Sequence, residues 1–375
     1  MDRSVRRIVE SYRADLPLEE AVGLPAAWYT DPAVFNLERR AVFGRSWQVV
    51  GRLDQLREPG FYVTAEIAGE PVLLARGHDG LLRGFFNVCR HKGAAILTEA
   101  EGSTAVLRCP YHGWTYTLEG KLRGTPDFAG VRQFSHAASG LVEIETLTWE
   151  AWALARLDRR AGGSFPPVGL SAQARQMDLQ GLHWQERRAY SVDCNWKVFI
   201  ENYLDGGYHV PHLHGKLDAV LDYRNYAIET GEGFCLQSSP IVAGRADAEV
   251  ASVRRGDRAL YIWIHPNFMI NWYDGVMDTN LVKPIAPDRS EVIFDFYFED
   301  IAPGARQRNL ASIALSERIQ EEDAAICRSV QRGIESRAYA PGRLSPRREK
   351  GEHLFHRLLY NNLVAALEDT PEEGM

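Results

Sequence analysis

No stretch of this 375-residue chain approaches the roughly 18 consecutive apolar residues that a membrane-crossing helix needs, so no membrane span is expected. The first residues, Met1 to Leu16, mix Arg with Glu and contain no apolar core of the kind a secretory signal carries. Basic residues do not outnumber acidic ones: 43 Lys and Arg against 50 Asp and Glu give a formal net charge of −7. No nucleic-acid partner is expected, because that would call for a basic face. The mild acidity suits a cationic small molecule without requiring one. No Gly-x-Gly-x-x-Gly turn follows a strand-like run, so the chain is not expected to bind NAD(P)H itself. Cysteine is scarce. Cys89, Cys109, Cys194, Cys235 and Cys327 are the five, and an odd, scattered set is a poor disulfide framework. Hydrophobic residues at 45% and charged residues at 25% exclude a disordered chain, and the length suits two domains.

What the chain does have is two short segments that each supply one thiolate and one imidazole. They are Cys89-Arg90-His91 and Cys109-Pro110-Tyr111-His112-Gly113-Trp114, with 17 residues between His91 and Cys109. Two cysteines and two histidines can hold a single tetrahedral zinc. Zinc fingers, however, usually group cysteines in one knuckle and histidines in another. One of each per loop suits two metals side by side, as in a [2Fe–2S] cluster where two histidines replace two cysteines on one iron. The pattern C-x-H followed by C-x-x-H, in the setting CPYHGW, resembles the Rieske family. That resemblance implies a [2Fe–2S] cluster on Cys89, His91, Cys109 and His112, with Trp114 packed beneath it. An iron–sulfur site with free thiols points to a reducing compartment, and a cytoplasmic location is the expectation.

Along the chain, residues 1–44 read as a helical lead-in that packs on a catalytic domain. From 45 to 150, short β-rich runs such as Phe61–Ile67 are separated by turn signals such as Ala68-Gly69-Glu70. A small antiparallel β domain with both ligand loops at its tip is expected there. Residues 151–375 read as a larger α+β domain with a helix near 195–209, strands from Ala259 to Phe298, and a long C-terminal helix near 305–337. The expected fold is therefore α+β: a small antiparallel β domain plus a larger helix-grip domain, in which an antiparallel sheet holds a long C-terminal helix.

A second constellation lies in Glu201-Asn202-Tyr203-Leu204-Asp205-Gly206-Gly207-Tyr208-His209-Val210-Pro211-His212-Leu213-His214. Two histidines and one carboxylate with open positions make the facial triad of non-haem iron(II) oxygenases. A helix would put Asp205 and His209, four apart, on one face. His209 and His214, five apart, would point about 140° away from each other in an unbroken helix. Pro211 biases Val210 out of helical angles and lets His214 approach from a fresh segment. Gly206 and Gly207 each weaken a helix by about 1 kcal/mol relative to Ala. Spacing alone leaves His212 open as an alternative ligand. For the carboxylate, the candidates are Glu321, Glu322 and Asp323 on the long helix. Against an apolar stripe of Ile319, Ile326, Val330 and Ile334, Asp323 falls inside, Glu322 at the edge and Glu321 on the solvent side. An inward acid needs a partner, either a metal or a buried cation.

The two constellations together resemble a Rieske oxygenase catalytic subunit over nearly the whole chain. The resemblance selects His209, His214 and Asp323 as ligands of a mononuclear Fe(II). It implies a head-to-tail homotrimer in which the cluster of one subunit serves the iron of the next. Asp205 would then bridge a cluster histidine, His112, to His209, with Asn202 and, more weakly, Glu201 behind the ligands. Electrons would come from a separate reductase or ferredoxin fed by NAD(P)H, and O2 would be consumed. Arg90 and Lys92 are candidate docking residues, although solvated surface is the simpler reading of both.

The catalytic half is most similar to choline monooxygenase and its carnitine and betaine relatives, through NYLDGGYHV, HPNFMIN, MDTNLV and VQRGIESRAY. That similarity implies hydroxylation of choline or a related quaternary ammonium compound. Such cations bind in aromatic cages. Tyr203, Phe268 and Tyr297 are the cage candidates, although core packing is the commoner role for any one aromatic. An oxygenase for aromatic rings or other organic acids is the alternative. A non-enzymatic electron carrier or zinc-binding protein is a third, disfavoured by the second metal motif.

Overall fold

In a computed structural model of the chain, the described residues are 3–159, 161–170, 174, 177–242, 250 and 253–369. The chain divides into two compact units, Phe43–Phe165 and a second made of Met1–Val42 with Pro166–Met375.

The smaller unit is antiparallel β. Its strands are β1 (Gln48–Arg52), β2 (Phe61–Ile67), β3 (Glu70–Arg76), β4 (Leu82–Phe86), β5 (Glu101–Ser103), β6 (Leu107–Arg108), β7 (Thr115–Tyr116), β8 (Leu122–Gly124), β9 (Glu143–Trp149) and β10 (Trp152–Arg156). One sheet runs β1-β10-β9-β4-β3-β2-β5 and a smaller one β6-β7-β8. Ala68 and Gly69, at φ 55° and 81°, make the two-residue hairpin turn between β2 and β3. The unit extends beyond residue 150 because β10 folds straight back on β9, with Trp149 opposite Trp152, and also pairs with β1. Beneath the ligand loops lies a core of Phe85, Ile96, Leu107, Trp114, Tyr116 and Leu118, with Cys89 and Cys109 at its edge.

The larger unit is built on a seven-stranded sheet, ordered β11-β17-β16-β15-β14-β13-β12. The strands are β11 (His183–Val192), β12 (Ala227–Gly231), β13 (Phe234–Pro240), β14 (Arg258–Ile264), β15 (Phe268–Tyr273), β16 (Val276–Ala286) and β17 (Arg289–Phe298). From β12 to β17 the chain is a meander. Among its helices are α1 (Arg3–Glu10), α2 (Ala26–Thr30), α3 (Pro32–Glu38), α4 (Trp196–Leu204), α5 (Val210–Leu213), α6 (Gly215–Asp218), α7 (Arg306–Ile334) and α8 (Lys350–Glu368). Asp31 caps α3 by accepting the Ala33 N–H at 2.7 Å, with Pro32 at the first helical position. The N-terminal helices are tied to α4 by polar bonds: Glu38 accepts from Lys197 Nζ at 2.6 Å and from Trp196 Nε1 at 2.9 Å.

The expected single long C-terminal helix is α7, but α8 follows it and buries Phe355, His356, Leu359 and Leu363. The buried stripe of α7 also differs from the apolar one. Ile326 and Val330 are exposed, whereas Ile313, Gln320, Ala324, Cys327, Gln331 and Ile334 are buried. Gln331 is inside because its Oε1 accepts the Asn195 N–H at 2.9 Å, where α4 begins. Among the described residues no helix is long and apolar enough to cross a membrane.

Candidate metal centres and active-site cavity

The two Cys–His loops share one backbone design. The Gly93 N–H donates to the Cys89 carbonyl at 2.9 Å, and the Gly113 N–H to the Cys109 carbonyl at 3.1 Å. The Cys89 and Cys109 N–H groups in turn donate to the Ala94 and Trp114 carbonyls, at 2.9 and 2.8 Å. Gly93 and Gly113 sit at φ 76° and 71°, a left-handed conformation in which glycine has no Cβ penalty. The second loop closes the β6–β7 hairpin. Cys89 and Cys109 are both buried, and the imidazoles of His91 and His112 lie with ring centroids 4.6 Å apart. His91 stacks on Trp114 at 5.0 Å with 5° between planes, and Phe128 braces both rings edge-on. The Tyr116 hydroxyl accepts from the Arg90 N–H at 3.0 Å, which leaves its proton free for Cys89 Sγ at 3.4 Å.

This donor set fits a Rieske cluster. His91 Nδ1 is buried with no hydrogen-bond partner, as a nitrogen reserved for a metal would be. Burial, then the neighbouring His112, push the His91 imidazole below its ordinary value, towards the neutral form that ligates. Burial pushes the Cys109 thiol up, so deprotonating it needs the compensation a metal provides.

In the larger unit, His209, His214 and Asp323 converge, with one ligand atom from each lying within 4.8 Å of the others. Asp323 Oδ1 stands 3.0 Å from His214 Nε2 and 3.8 Å from His209 Nε2. Each imidazole is held from behind by a carboxylate. Asp205 Oδ2 is 2.6 Å from His209 Nδ1, and Glu322 Oε2 is 2.6 Å from His214 Nδ1. Both contacts favour the tautomer with the proton on Nδ1 and the lone pair of Nε2 facing the shared centre. Asn202 Nδ2 donates to Asp323 Oδ1 at 2.8 Å and orients the third carboxylate. Three protein ligands, two imidazoles and a carboxylate, with space beyond them, fit a non-haem iron(II).

Local sequence explains the convergence. α4 stops at Leu204, and Gly206 and Gly207, at φ 67° and 69°, turn the chain sharply. A Cβ on Gly206 would run into the Arg348 carbonyl. Asp205 and His209 therefore meet across a turn and not along a continuous helix, as spacing alone implied. The turn is fixed by Asp205, whose two oxygens accept the Tyr208 and His209 N–H groups at 3.1 and 3.0 Å. The one-turn α5 then opens at Val210, which is helical and not pushed out of helical angles as expected, because Pro211 is tolerated in a first turn; His214 follows at its non-helical end. His214 is 1% exposed, whereas His212 faces solvent.

Beside these ligands is a cavity of about 110 Å³. Its sheet wall is a row of residues in direct register across four strands: Gln237, Tyr261, Asn271 and Asp278. Because side chains alternate, Tyr273 on β15 and Asn280 on β16 share that face. Arg254, buried, lies over the Tyr273 ring at 4.6 Å.

The sequence relatives agree with this geometry. Residues 46–135 match the Rieske [2Fe–2S] domain and residues 179–364 the catalytic domain of ring-hydroxylating alpha subunits. A choline monooxygenase of Arabidopsis thaliana is 35% identical over 96% of this chain and 87% of that protein. The chain belongs to the Rieske oxygenase family. The carnitine monooxygenase oxygenase subunit of Escherichia coli K12 is 28% identical over 91% of this chain and 94% of its own. A solved quaternary ammonium Rieske monooxygenase, studied for carnitine oxidation and inter-subunit electron transfer, superposes with a TM-score of 0.85. It is 26% identical, covering 94% of this chain and 98% of its own. Membership makes this chain an iron-dependent oxidoreductase that uses a [2Fe–2S] cluster and a mononuclear iron.

Within this Rieske oxygenase, the structure gathers His209, His214, Asp323, Asp205 and Asn202 into one site. Glu201 stands apart from the ligands: its Oε1 accepts from Tyr29 Oη at 2.7 Å and lies 2.9 Å from His356 Nε2. Tyr203 lines the cavity, but Phe268 and Tyr297 do not. They are buried on the other face of the sheet, because on β15 the odd-numbered Asn271 and Tyr273 point to the cavity, and on β17 the even-numbered Phe294 does. Tyr226, Tyr261 and Tyr273 take the places sequence reasoning gave to those two. Glu322, set aside as a stripe-edge residue, holds His214. Its position one residue before Asp323 at the edge of the buried face was the available signal.

Proposed function

We propose that this chain is the terminal oxygenase of a system with a separate electron donor, and that it hydroxylates choline or a closely related quaternary ammonium compound. One observation carries the substrate class: the cavity beside the three ligands is walled by tyrosines and holds a buried carboxylate, Asp278, in a chain closely related to a choline monooxygenase. Cys89, His91, Cys109 and His112 hold the cluster, and His209, His214 and Asp323 the mononuclear iron. When bound, these groups supply single electrons and O2 activation. Overall, R–H, O2, two electrons and two protons become R–OH and water. The residues position and shield. Asp205 and Glu322 orient the imidazoles, Asn202 orients Asp323, and the tyrosine wall keeps bulk water from the reacting carbon. Hydroxylation at the terminal carbon of choline gives an aldehyde hydrate, and at an N-methyl group it gives demethylation with formaldehyde.

Asp205 also bridges to the partner subunit's His112 in a homotrimer. The exposed His112 at its loop tip and the inter-subunit transfer described for the structural relative support this. A reductase or ferredoxin fed by NAD(P)H delivers the electrons. The cytoplasm is the proposed location, supported by five free cysteines, although the plant relatives are chloroplastic. The test is NAD(P)H-driven O2 consumption with a supplied reductase and choline, carnitine or glycine betaine. Products are followed by mass spectrometry, and coupled product from at least one is expected. O2 uptake without product from any of them removes the substrate assignment.

A further inference from the structure

Asp278 is 4% exposed and lines the cavity, yet among the described residues no Lys, Arg or His forms an ion pair with it. A buried carboxylate is costly without a cation, so its surroundings show what it awaits. Its Oδ1 accepts from Asn271 Nδ2 at 2.8 Å and from Asn280 Nδ2 at 3.3 Å. The Tyr203 hydroxyl, whose nearest acceptors are Asn271 Oδ1 at 2.9 Å and the Ile270 carbonyl at 3.1 Å, matches that orientation of the Asn271 amide. Burial pushes the Asp278 pKa up, and the Arg254 charge, followed by the two amide donors directed at one oxygen, works against it in favour of the ionised carboxylate. The one Lys or Arg on the cavity wall, Arg254, makes no direct ion pair with Asp278: its charge acts on the carboxylate from a distance, while Nη1 donates to Ser312 Oγ and Nη2 to Ser316 Oγ, both at 2.8 Å.

The aromatic wall has hydrogen bonds of its own. Tyr226 is 3.1 Å from Gln237 Oε1, and the Tyr261 and Tyr273 hydroxyls bond to each other at 2.6 Å. Together with Tyr203, these side chains offer a ligand ring surface, and of the Tyr261–Tyr273 pair one hydroxyl proton is used in the bond between them. A quaternary nitrogen has no N–H to donate. It is recognised by charge and by π faces, and this cavity supplies both.

We propose that Asp278, hydrogen-bonded by Asn271 and Asn280, is the counter-charge for the substrate's quaternary nitrogen, and that it makes the cavity select cations over neutral molecules of the same shape. This deepens the substrate class given above and rests on it. The test compares choline with 3,3-dimethylbutan-1-ol, in which carbon replaces nitrogen, using holoenzyme and a supplied reductase. Tetramethylammonium binding is titrated calorimetrically in parallel. In Asp278→Asn, with iron content and cluster spectrum retained, tetramethylammonium affinity and choline kcat/KM are expected to fall by at least about tenfold, while kcat/KM for the neutral alcohol changes by less than about threefold. An unchanged choline-to-alcohol ratio, or unchanged tetramethylammonium affinity, overturns the proposal. Should that variant fail to fold, Asp278→Ser is measured in the same way, and a wild type that binds both shapes equally also overturns it. If the wild type oxidises no quaternary amine, the proposed function fails, and the tetramethylammonium titration still decides the role of Asp278.

Discussion

Asp205 and Glu322 do the same work on different imidazoles. Each carboxylate takes the Nδ1 side of a histidine at 2.6 Å and leaves Nε2 for the metal. They differ in setting. Asp205 closes a turn with two backbone N–H groups, while Glu322 projects from α7 with 45% of its side chain exposed. Glu322→Ala should therefore leave the fold intact and weaken iron binding by about 10- to 100-fold, read by titrating ferrous iron into anaerobic apoprotein. His212→Ala should bind iron as the parent does, and His214→Ala should lose it. That pair checks a choice that spacing left open. Both histidines follow His209 closely, and only burial separates them: His214 is almost fully enclosed and His212 is not. Which rings face the cavity was equally hidden, since a strand presents every second residue and Phe268 has the wrong parity.

At the scale of elements, the two ligand loops show how a one-residue difference in motif spacing is absorbed. Cys-x-His-x-Gly and Cys-x-x-His-Gly both place glycine four residues after cysteine, and the same two backbone bonds close each loop. The break after α4 is a stricter case. Gly206 needs a left-handed φ and has the Arg348 carbonyl against it. Gly206→Ala is expected to cost about 2 to 4 kcal/mol and to reduce iron occupancy, read by urea unfolding and metal analysis. The β14–β15 connection carries a pH dependence. His265, whose Nε2 is 2.9 Å from Asn362 Oδ1 on α8, has its pKa pushed down by burial to about 4. The unfolded chain takes up this proton first, near the ordinary value of about 6.5. Its contribution to stability is thus complete above that pH and is lost as pH falls towards 4, by at most about 3 kcal/mol. Denaturation midpoints at pH 7.5 and 5 should differ less in His265→Asn than in the parent.

For the whole molecule, the central prediction concerns electron transfer between copies. A chain lacking the cluster (His91→Ala) and a chain lacking the iron (His209→Ala) should each be inactive. Refolded together, they should regain activity at about a quarter of their interfaces, where a cluster-bearing subunit meets an iron-bearing neighbour. No recovery from verified mixed trimers would mean that the cluster serves its own subunit's iron. The sequence by itself pointed to the Cys–His pair of loops, because residue types and short-range spacing mark them and the loops of Cys89 and Cys109 are local structures closed by their own backbone. For the second site it left His212 open beside His214 and three acids open for the carboxylate. Some strands were legible too, β2 and β14 to β17 among them, because alternation and turn residues are local signals. Only the tertiary structure decided what depends on distant segments meeting. Glu322 comes to His214 from 108 residues away, Gln331 is buried because it meets the start of α4, and α8 packs where no motif announced it. The cavity was decided in the same way. Gln237, Tyr261, Asn271 and Asp278 form one wall only because four strands pair in a single register, and that register is set by the whole sheet.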